Sequence, residues 1–261
     1  MSETGAAAPQ LSGQVFLYEK PELLMKDKHQ GLGLSPASKP FGFAAKVRAV
    51  PLTAREFTVA QASFPIVFTT GEGAQPLAVV GIFEDDNLFV GEDGQWERHA
   101  YIPGYLRRYP YAFAGDQGSD RMALVIDTQA EMIQSNPQFP FFAGDDLSDS
   151  TKQAMEFCKN YEQERRGTTQ LMEKLTEYNL LGQQEARFKP DGEEEERVVA
   201  SYVGVEEQKL RELSPEALVE LRDSGMLALI YAQLISMANW RRLLERRALR
   251  LQSGGAVAAN S

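Results

Sequence analysis

Apolar and polar residues alternate in short bursts from about Phe43 to Asp127, and in three- and four-residue cycles from about Ser148 onward. The first pattern predicts strands. The runs "FAAKVRAV", "FPIVFTT", "LAVVGIF", "NLFV", "WERHAYI" and "MALVIDT" are separated by Gly, Asp, Asn and Pro, residues whose backbone preferences make turns. The close turns "EDDN" and "GEDG" predict an antiparallel meander from Leu77 to Ile102. One helix interrupts the region. Thr53 and Glu56 have capping-box spacing, in which hydroxyl and carboxylate each satisfy a backbone N–H, so "TAREFTVAQAS" is expected to be helical.

Helices dominate after the loop "SNPQFPFFAGDD". Ala154, Phe157, Cys158 and Tyr161 mark the apolar side of "SDSTKQAMEFCKNYEQERR", and "TTQLMEKLTEYNLL" follows with Gly182 placed to end it; together they predict a helical hairpin. The acidic "EARFKPDGEEEER", with its Pro-Asp-Gly turn signal, is expected to be an exposed loop or hairpin tip leading into the strand "RVVASYVGV". After "EEQKLREL", Ser214 caps, Pro215 suits the first helical position and Gly225 closes the helix of "SPEALVELRDSG". From Met226 a long helix carries Leu227, Ile230, Tyr231, Leu234, Met237 and Ala238 as one apolar stripe and ends in the basic "NWRRLLERRALR". Those arginines complement the negative end of the helix dipole; a site for an acidic partner or lipid headgroup is the sharper alternative.

The expected fold class is α+β: a mainly antiparallel sheet region followed by a helical region with a long C-terminal helix. Residues 15–251 are expected to form a single domain, sheet-rich over 40–130 and helix-rich over 145–251. A mobile tail at 1–14 and a disordered tail at 252–261 flank it.

Composition narrows the function classes. The chain has 261 residues, 43% hydrophobic and 25% charged, as in an ordinary globular protein, and its net charge of −10 argues against nucleic-acid binding, which needs a cationic footprint. The N-terminus has neither a basic start nor an apolar h-region, and "GMLALIYAQLISMANW" is shorter than the roughly 20 apolar residues of a bilayer span. No transmembrane segment is expected, and cytoplasmic residence is the simplest reading. The single cysteine, Cys158, sits at a helical core position and reads as a buried small residue rather than a reactive thiol.

Several stretches, in order, resemble the SapC family of bacterial proteins: "FAAKVRAVPLTAREF", "FPIVF", "LAVVGIFEDDNLFVGEDGQW", "YIPGYLRRYPYAF", "LVID" and "LRDSGMLALIYAQLISMANWRRL". The resemblance runs from about Val15 to Leu244. It implies a bacterial source and one architecture. The family is named for a protein linked with a surface layer, and it supplies no agreed catalytic residues to carry over. Gln233 stands where "YAHL"-like versions of the pattern lead one to expect histidine.

Catalytic signatures are absent from the sequence. The two histidines, His29 and His99, form neither HExxH nor a facial-triad spacing, so no metal is expected; no GxSxG elbow occurs, and "GLGLSPASK" matches neither phosphate-binding fingerprint. No cofactor is expected. Glu84, Asp85 and Asp86 read as turn residues without the ligand spacing of a calcium loop. Asp127, at the end of an apolar strand, is a candidate site residue, with capping or a salt bridge as the plainer reading.

The segment "YIPGYLRRYPYAF" is the strongest candidate site. A helical segment between Pro103 and Pro110 brings Tyr101, Tyr105 and Arg108 toward one face with Tyr109 beside them; an extended one sets Arg107 among the aromatics instead. Either puts a planar cation against tyrosine rings, able to hold a carboxylate or phosphate. The plainer alternative packs these tyrosines on the sheet and pairs the arginines with acids such as Glu84 or Glu97. The function expected first is a non-enzymatic accessory protein that binds a small molecule, peptide or protein partner through Tyr101, Tyr105, Arg107, Arg108, Tyr109 and Asp127. The alternatives are an enzyme acting on an anionic metabolite, with Asp127, Glu97 or a tyrosine handling a proton, and a surface-layer component.

Overall fold

The computed structural model describes residues 15–83, 86–114, 123–189 and 195–258. The expected tail at 1–14, the acids Glu84 and Asp85, and residues 190–194 of the expected loop or tip 185–197 lie outside the described residues; its first residues, Glu185–Phe188, instead continue the strand Leu181–Phe188, with Ala186 buried. Every described strand ladder is antiparallel, and helices dominate the C-terminal half, which makes the chain α+β. It divides into two compact units, each assembled from two stretches.

The first unit takes the described residues up to Phe43 together with Arg108–Glu162. Ala123–Asp127 is the central strand of a three-stranded sheet, flanked by Pro21–Leu23 and Tyr111–Ala114. A second three-stranded sheet pairs Leu32–Leu34 with Ile133–Ser135 and Phe139–Pro140. These strands of two or three residues were hidden inside stretches that read as loops, because so short a run shows no alternation. Tyr111, Leu124, Ile126, Phe141 and Cys158 form the core of this unit, so the cysteine takes the buried position expected of it.

The second unit takes Ala44–Arg107 and the residues from Gln163 on. Its five-stranded sheet runs Leu181–Phe188, Arg197–Val205, Ile66–Phe68, Pro76–Val79, Ala49–Pro51 in space. The expected capping box at Thr53 and Glu56 is present and opens the helical stretch Ala54–Ala60. Ser214 accepts the amide of Ala217 at the start of Pro215–Asp223, and Gly225, with φ of 76°, ends that segment in the left-handed region. A long bent C-terminal helix follows, as Met226–Ser236 and Asn239–Ala258; its backbone passes residue 252, where the sequence reading begins a tail, and 259–261 lie outside the described residues.

Three expectations are corrected. The meander from Leu77 to Ile102 does not form: beyond Val79 its only described bridge pairs Val90 with Trp96. At Gly81 the chain folds back so closely that a Cβ would lie 2.0 Å from the carbonyl oxygen of Asp86, and the buried Asn87 side chain holds the loop through Ala44 O and Phe89 N, both at 3.0 Å. The apolar residues that suggested strands fill a core instead, with Phe64, Phe89 and Trp96 in ring contact.

The helical hairpin is one continuous helix, Asp149–Glu177. Gly167 lies in open space within it, and a helical glycine costs only about 1 kcal/mol against alanine, too little to break a helix of this length. Asn179, at φ of 50°, supplies the terminating left-handed residue assigned to Gly182, which lies in the next strand. The third correction concerns the C-terminal stripe. Ile230 is buried, but Tyr231 and Ala238 are exposed, and Gln233, Ser236 and Asn239 take up buried positions.

Candidate functional site

Pro103 sets the local geometry. It precedes a single helical turn, Gly104–Arg107, whose Leu106 and Arg107 amides donate to Pro103 O at 2.9 and 3.1 Å. The chain then turns, with the Tyr111 amide donating to Arg108 O at 2.7 Å, and enters the strand Tyr111–Ala114. The segment is thus helical before the second proline and extended after it. Tyr101, Tyr105 and Arg107 belong to the second unit, whereas Arg108, Tyr109 and Asp127 belong to the first.

In the second unit, the buried carboxylate of Glu56 organises the turn. Its Oε2 accepts the Thr53 amide at 2.7 Å and the Thr53 hydroxyl at 3.0 Å; its Oε1 accepts the Gly104 amide at 2.6 Å and the Tyr101 hydroxyl at 3.0 Å. The Tyr101 hydroxyl in turn accepts from an Arg107 terminal nitrogen at 3.0 Å, while Arg107 Nε donates to Ile102 O at 3.0 Å. The side chain thereby folds back, and the exposed guanidinium lies 5.6 Å from the centroid of the Tyr101 ring. Burial, and next the Glu56 charge, push the Tyr101 hydroxyl up to about 12. It stays protonated and donates to Glu56 throughout the physiological range. Tyr105 is buried.

In the first unit, Arg108 is buried and pairs with Glu162 at 3.2 Å, its guanidinium 4.7 Å from the centroid of the Tyr161 ring. The helical alternative of the sequence reading grouped Arg108 with Tyr101; the structure groups Arg107 with Tyr101, because the short side-chain loop back to Ile102 O directs it there. Asp127 is fully buried and receives four hydrogen bonds: from the Glu19 amide at 3.0 Å, the Lys20 amide at 2.9 Å, the Gln129 amide at 3.2 Å and the Tyr109 hydroxyl at 2.9 Å. Tyr109 stacks on Phe43 at 3.8 Å and 12°, with Tyr18 edge-on at 5.3 Å. Burial, followed by the hydrogen bond to Asp127, drives its hydroxyl well above the usual tyrosine range. Together these contacts fasten the segment around Tyr18–Lys20 to the sheet.

Sequence reasoning missed Glu56 as the centre of the Arg107 cluster, although its capping-box spacing was visible. It marked Gln233 only as standing where histidine is expected, and missed its part in the sheet. The pairing of Arg197–Val205 with Ile66–Phe68 consists of one rung, Val203 with Phe68. Beside it the Gln233 amide stands in for a further rung, accepting from Val205 N at 3.3 Å and donating to Ile66 O at 3.0 Å. Ser236 accepts the Ile66 amide at 3.0 Å, and Asn239 donates to Gln61 O and Phe64 O at 2.7 and 3.1 Å.

The basic helix end meets Phe83, residues 86–90 and Glu97 of its own unit. Arg250 donates to Asp86, Asn87 O and Val90 O, Arg246 pairs with Glu97 and lies over Phe89, and Arg247 lies over Phe83. Glu97 is therefore the partner of Arg246. His29 is buried and His99 exposed. Among the described residues, no group of three or more His, Cys, Asp or Glu side chains could hold a metal ion, and no helix is long and apolar enough to cross a membrane.

The SapC family model matches residues 24–243. The chain belongs to the SapC family. No curated protein and no solved structure matches it. In this SapC-family chain the "YIPGYLRRYPYAF" segment contributes its first arginine to an exposed tyrosine-backed position and its second to a buried ion pair.

Proposed function

We propose that this SapC-family protein is an accessory binding protein that takes up an anionic group, on a small molecule, peptide or protein partner, at Arg107 and Tyr101. The observation that carries the reading is the exposed Arg107 guanidinium held over the Tyr101 ring, with the tyrosine fixed by buried Glu56. A planar cation held in one orientation suits bidentate contact with a carboxylate or phosphate, and the adjacent ring suits an aromatic or aliphatic neighbour. Tyr105, buried in the same turn, and Arg108, Tyr109 and Asp127, held within the other unit, are not part of the proposed contact surface. Asp127 spends both carboxylate oxygens on hydrogen bonds from its own unit.

Benzoate and inorganic phosphate titrated by NMR serve as probes, alongside native mass spectrometry of freshly purified protein to reveal a retained partner. Arg107→Ala is expected to abolish probe binding with an unchanged circular dichroism spectrum, and Arg107→Lys to weaken it about tenfold, since lysine lacks the bidentate fork. Equal binding by the wild type and Arg107→Ala would refute the assignment.

A further inference from the structure

The five-stranded sheet ends on two very different edges. One is Ala49–Pro51, three residues closed by a proline, which is a usual way of blunting an edge. The other is Leu181–Phe188, eight residues without proline, whose only described ladder is to Arg197–Val205. Its ladder contains a bulge, another common protective device, but the register passes from Ala186–Ala200 to Arg187–Val198, so the extra residue is Val199 on the inner strand. The edge strand keeps an unbroken two-residue alternation. Gln183, Glu185 and Arg187 lie on its exposed face and Ala186 is buried on the other. A shallow depression of about 430 Å³ lined by Gln183, Gln184, Glu185, Arg187 and Ser201 leaves that face open.

We propose that Leu181–Phe188 is a self-association edge, at which a second copy of this chain adds the same strand antiparallel about a two-fold axis at Ala186, so that Gln184–Phe188 of the two copies lie opposite each other. The charges select this partner and register. Glu185 and Arg187 sit one position either side of Ala186 and point to the same face, so the two-fold places Glu185 of each copy opposite Arg187 of the other. Within one chain Glu185 already accepts from Arg187 at 2.7 and 3.1 Å, and pairing extends this to four charges of alternating sign. Backbone pairing joins the two five-stranded sheets into one continuous sheet. An interface resting on one strand is small, which sets the expected affinity in the micromolar range.

Sedimentation velocity of the full chain at concentrations up to about 100 μM tests the proposal. The wild type is expected to form a dimer. Glu185→Arg and Arg187→Glu each place like charges opposite at both cross-strand positions, and each is expected to weaken the dimer about thirtyfold with an unchanged circular dichroism spectrum. Mixing the two variants restores opposite charges at both positions and is expected to recover a heterodimer; the double swap E185R/R187E recovers a homodimer. A wild type that stays monomeric at about 100 μM, including one that instead retains an extended peptide, overturns the proposal. So does a dimer that neither single variant weakens, or a mixture that fails to recover.

Discussion

Glu56 offers the sharpest test of how the Arg107 turn is held. The side chain is 5% exposed, and Glu56→Ala removes the acceptor of two buried amides, Thr53 and Gly104, and of the Tyr101 hydroxyl. A hydrogen bond to a charged group contributes about 1.5–3 kcal/mol, and an orphaned buried donor costs its desolvation. Taking about 1.5 kcal/mol for each amide and about 1 for the hydroxyl gives a loss of about 4 kcal/mol, a large part of a typical domain's stability. The chain's two tryptophans, Trp96 and Trp240, both lie in the unit that contains Glu56, so tryptophan fluorescence in urea follows that unit. With a slope of about 3 kcal/mol per molar, the midpoint should fall by more than about 1 M. Glu56→Gln retains one acceptor oxygen while setting an NH₂ against the remaining donors, and about half the loss is expected. Tyr101 gives an independent readout. Its hydroxyl is raised first by burial and then by the Glu56 charge, so ultraviolet titration of Glu56→Ala should show it ionising below its wild-type value of about 12. A stability loss under about 1 kcal/mol, together with an unmoved tyrosine titration, would show that the carboxylate does not organise the turn.

Asp127→Asn turns one of the two acceptor oxygens toward which amides point into a donor; a loss of about 3 kcal/mol and faster hydrogen exchange at the Glu19 and Lys20 amides are expected, and unchanged exchange there would refute the fastening role. Gln233→Leu should cost about 2–3 kcal/mol and expose the Val205 amide to exchange, whereas a neutral substitution would deny its part in the sheet. Cys158, whose thiol burial pushes up to about 11, should react with a disulfide reagent only after urea unfolding, and stoichiometric reaction of the native protein would contradict its burial. Tyr101 and Tyr111 both keep their protons to about 12, chiefly through burial, while an unfolded tyrosine loses its own near 10. Their contribution to stability is complete below about pH 10 and lost as pH rises toward 12, so urea midpoints should fall across that window; a flat profile would refute the assignment.

The sequence carried the family, the α+β class, the capping box at Thr53 and the helix start at Ser214, because each rests on local residue chemistry or periodicity. It misread the stretch beyond Val79, up to Ile102, where apolar runs of strand length fill a core instead of forming a meander; only the packing of Phe64, Phe89 and Trp96 separates the two outcomes. It also split the helix Asp149–Glu177 at a glycine whose local penalty the surrounding helix overrides. The aromatic and arginine segment was legible as chemistry but not as partnership. Helical spacing offered Arg108 to Tyr101 and extended spacing offered Arg107; an arginine side chain hydrogen-bonded to Ile102 O places Arg107 at Tyr101 within a helical turn, which neither alternative combined.

The contrast between Arg107 and Arg108 follows from what surrounds each one. Removing a guanidinium from water is costly, so a buried arginine needs an acid and a ring beside it, and Arg108 has Glu162 and Tyr161. Arg108→Ala takes this cation from a carboxylate that is itself largely buried, and the loss should appear as instability of the unit rather than as weakened probe binding. Arg107 is exposed, and two of its contacts, to the Ile102 carbonyl and the Tyr101 hydroxyl, fold its side chain back over the turn. Glu56 acts one residue further back, fixing through Tyr101 the hydroxyl to which the guanidinium donates. Glu56→Ala should accordingly weaken probe binding as well as stability, by freeing Tyr101 and with it the arginine. Retained probe affinity in a folded Glu56→Ala protein would mean that Arg107 needs no such support.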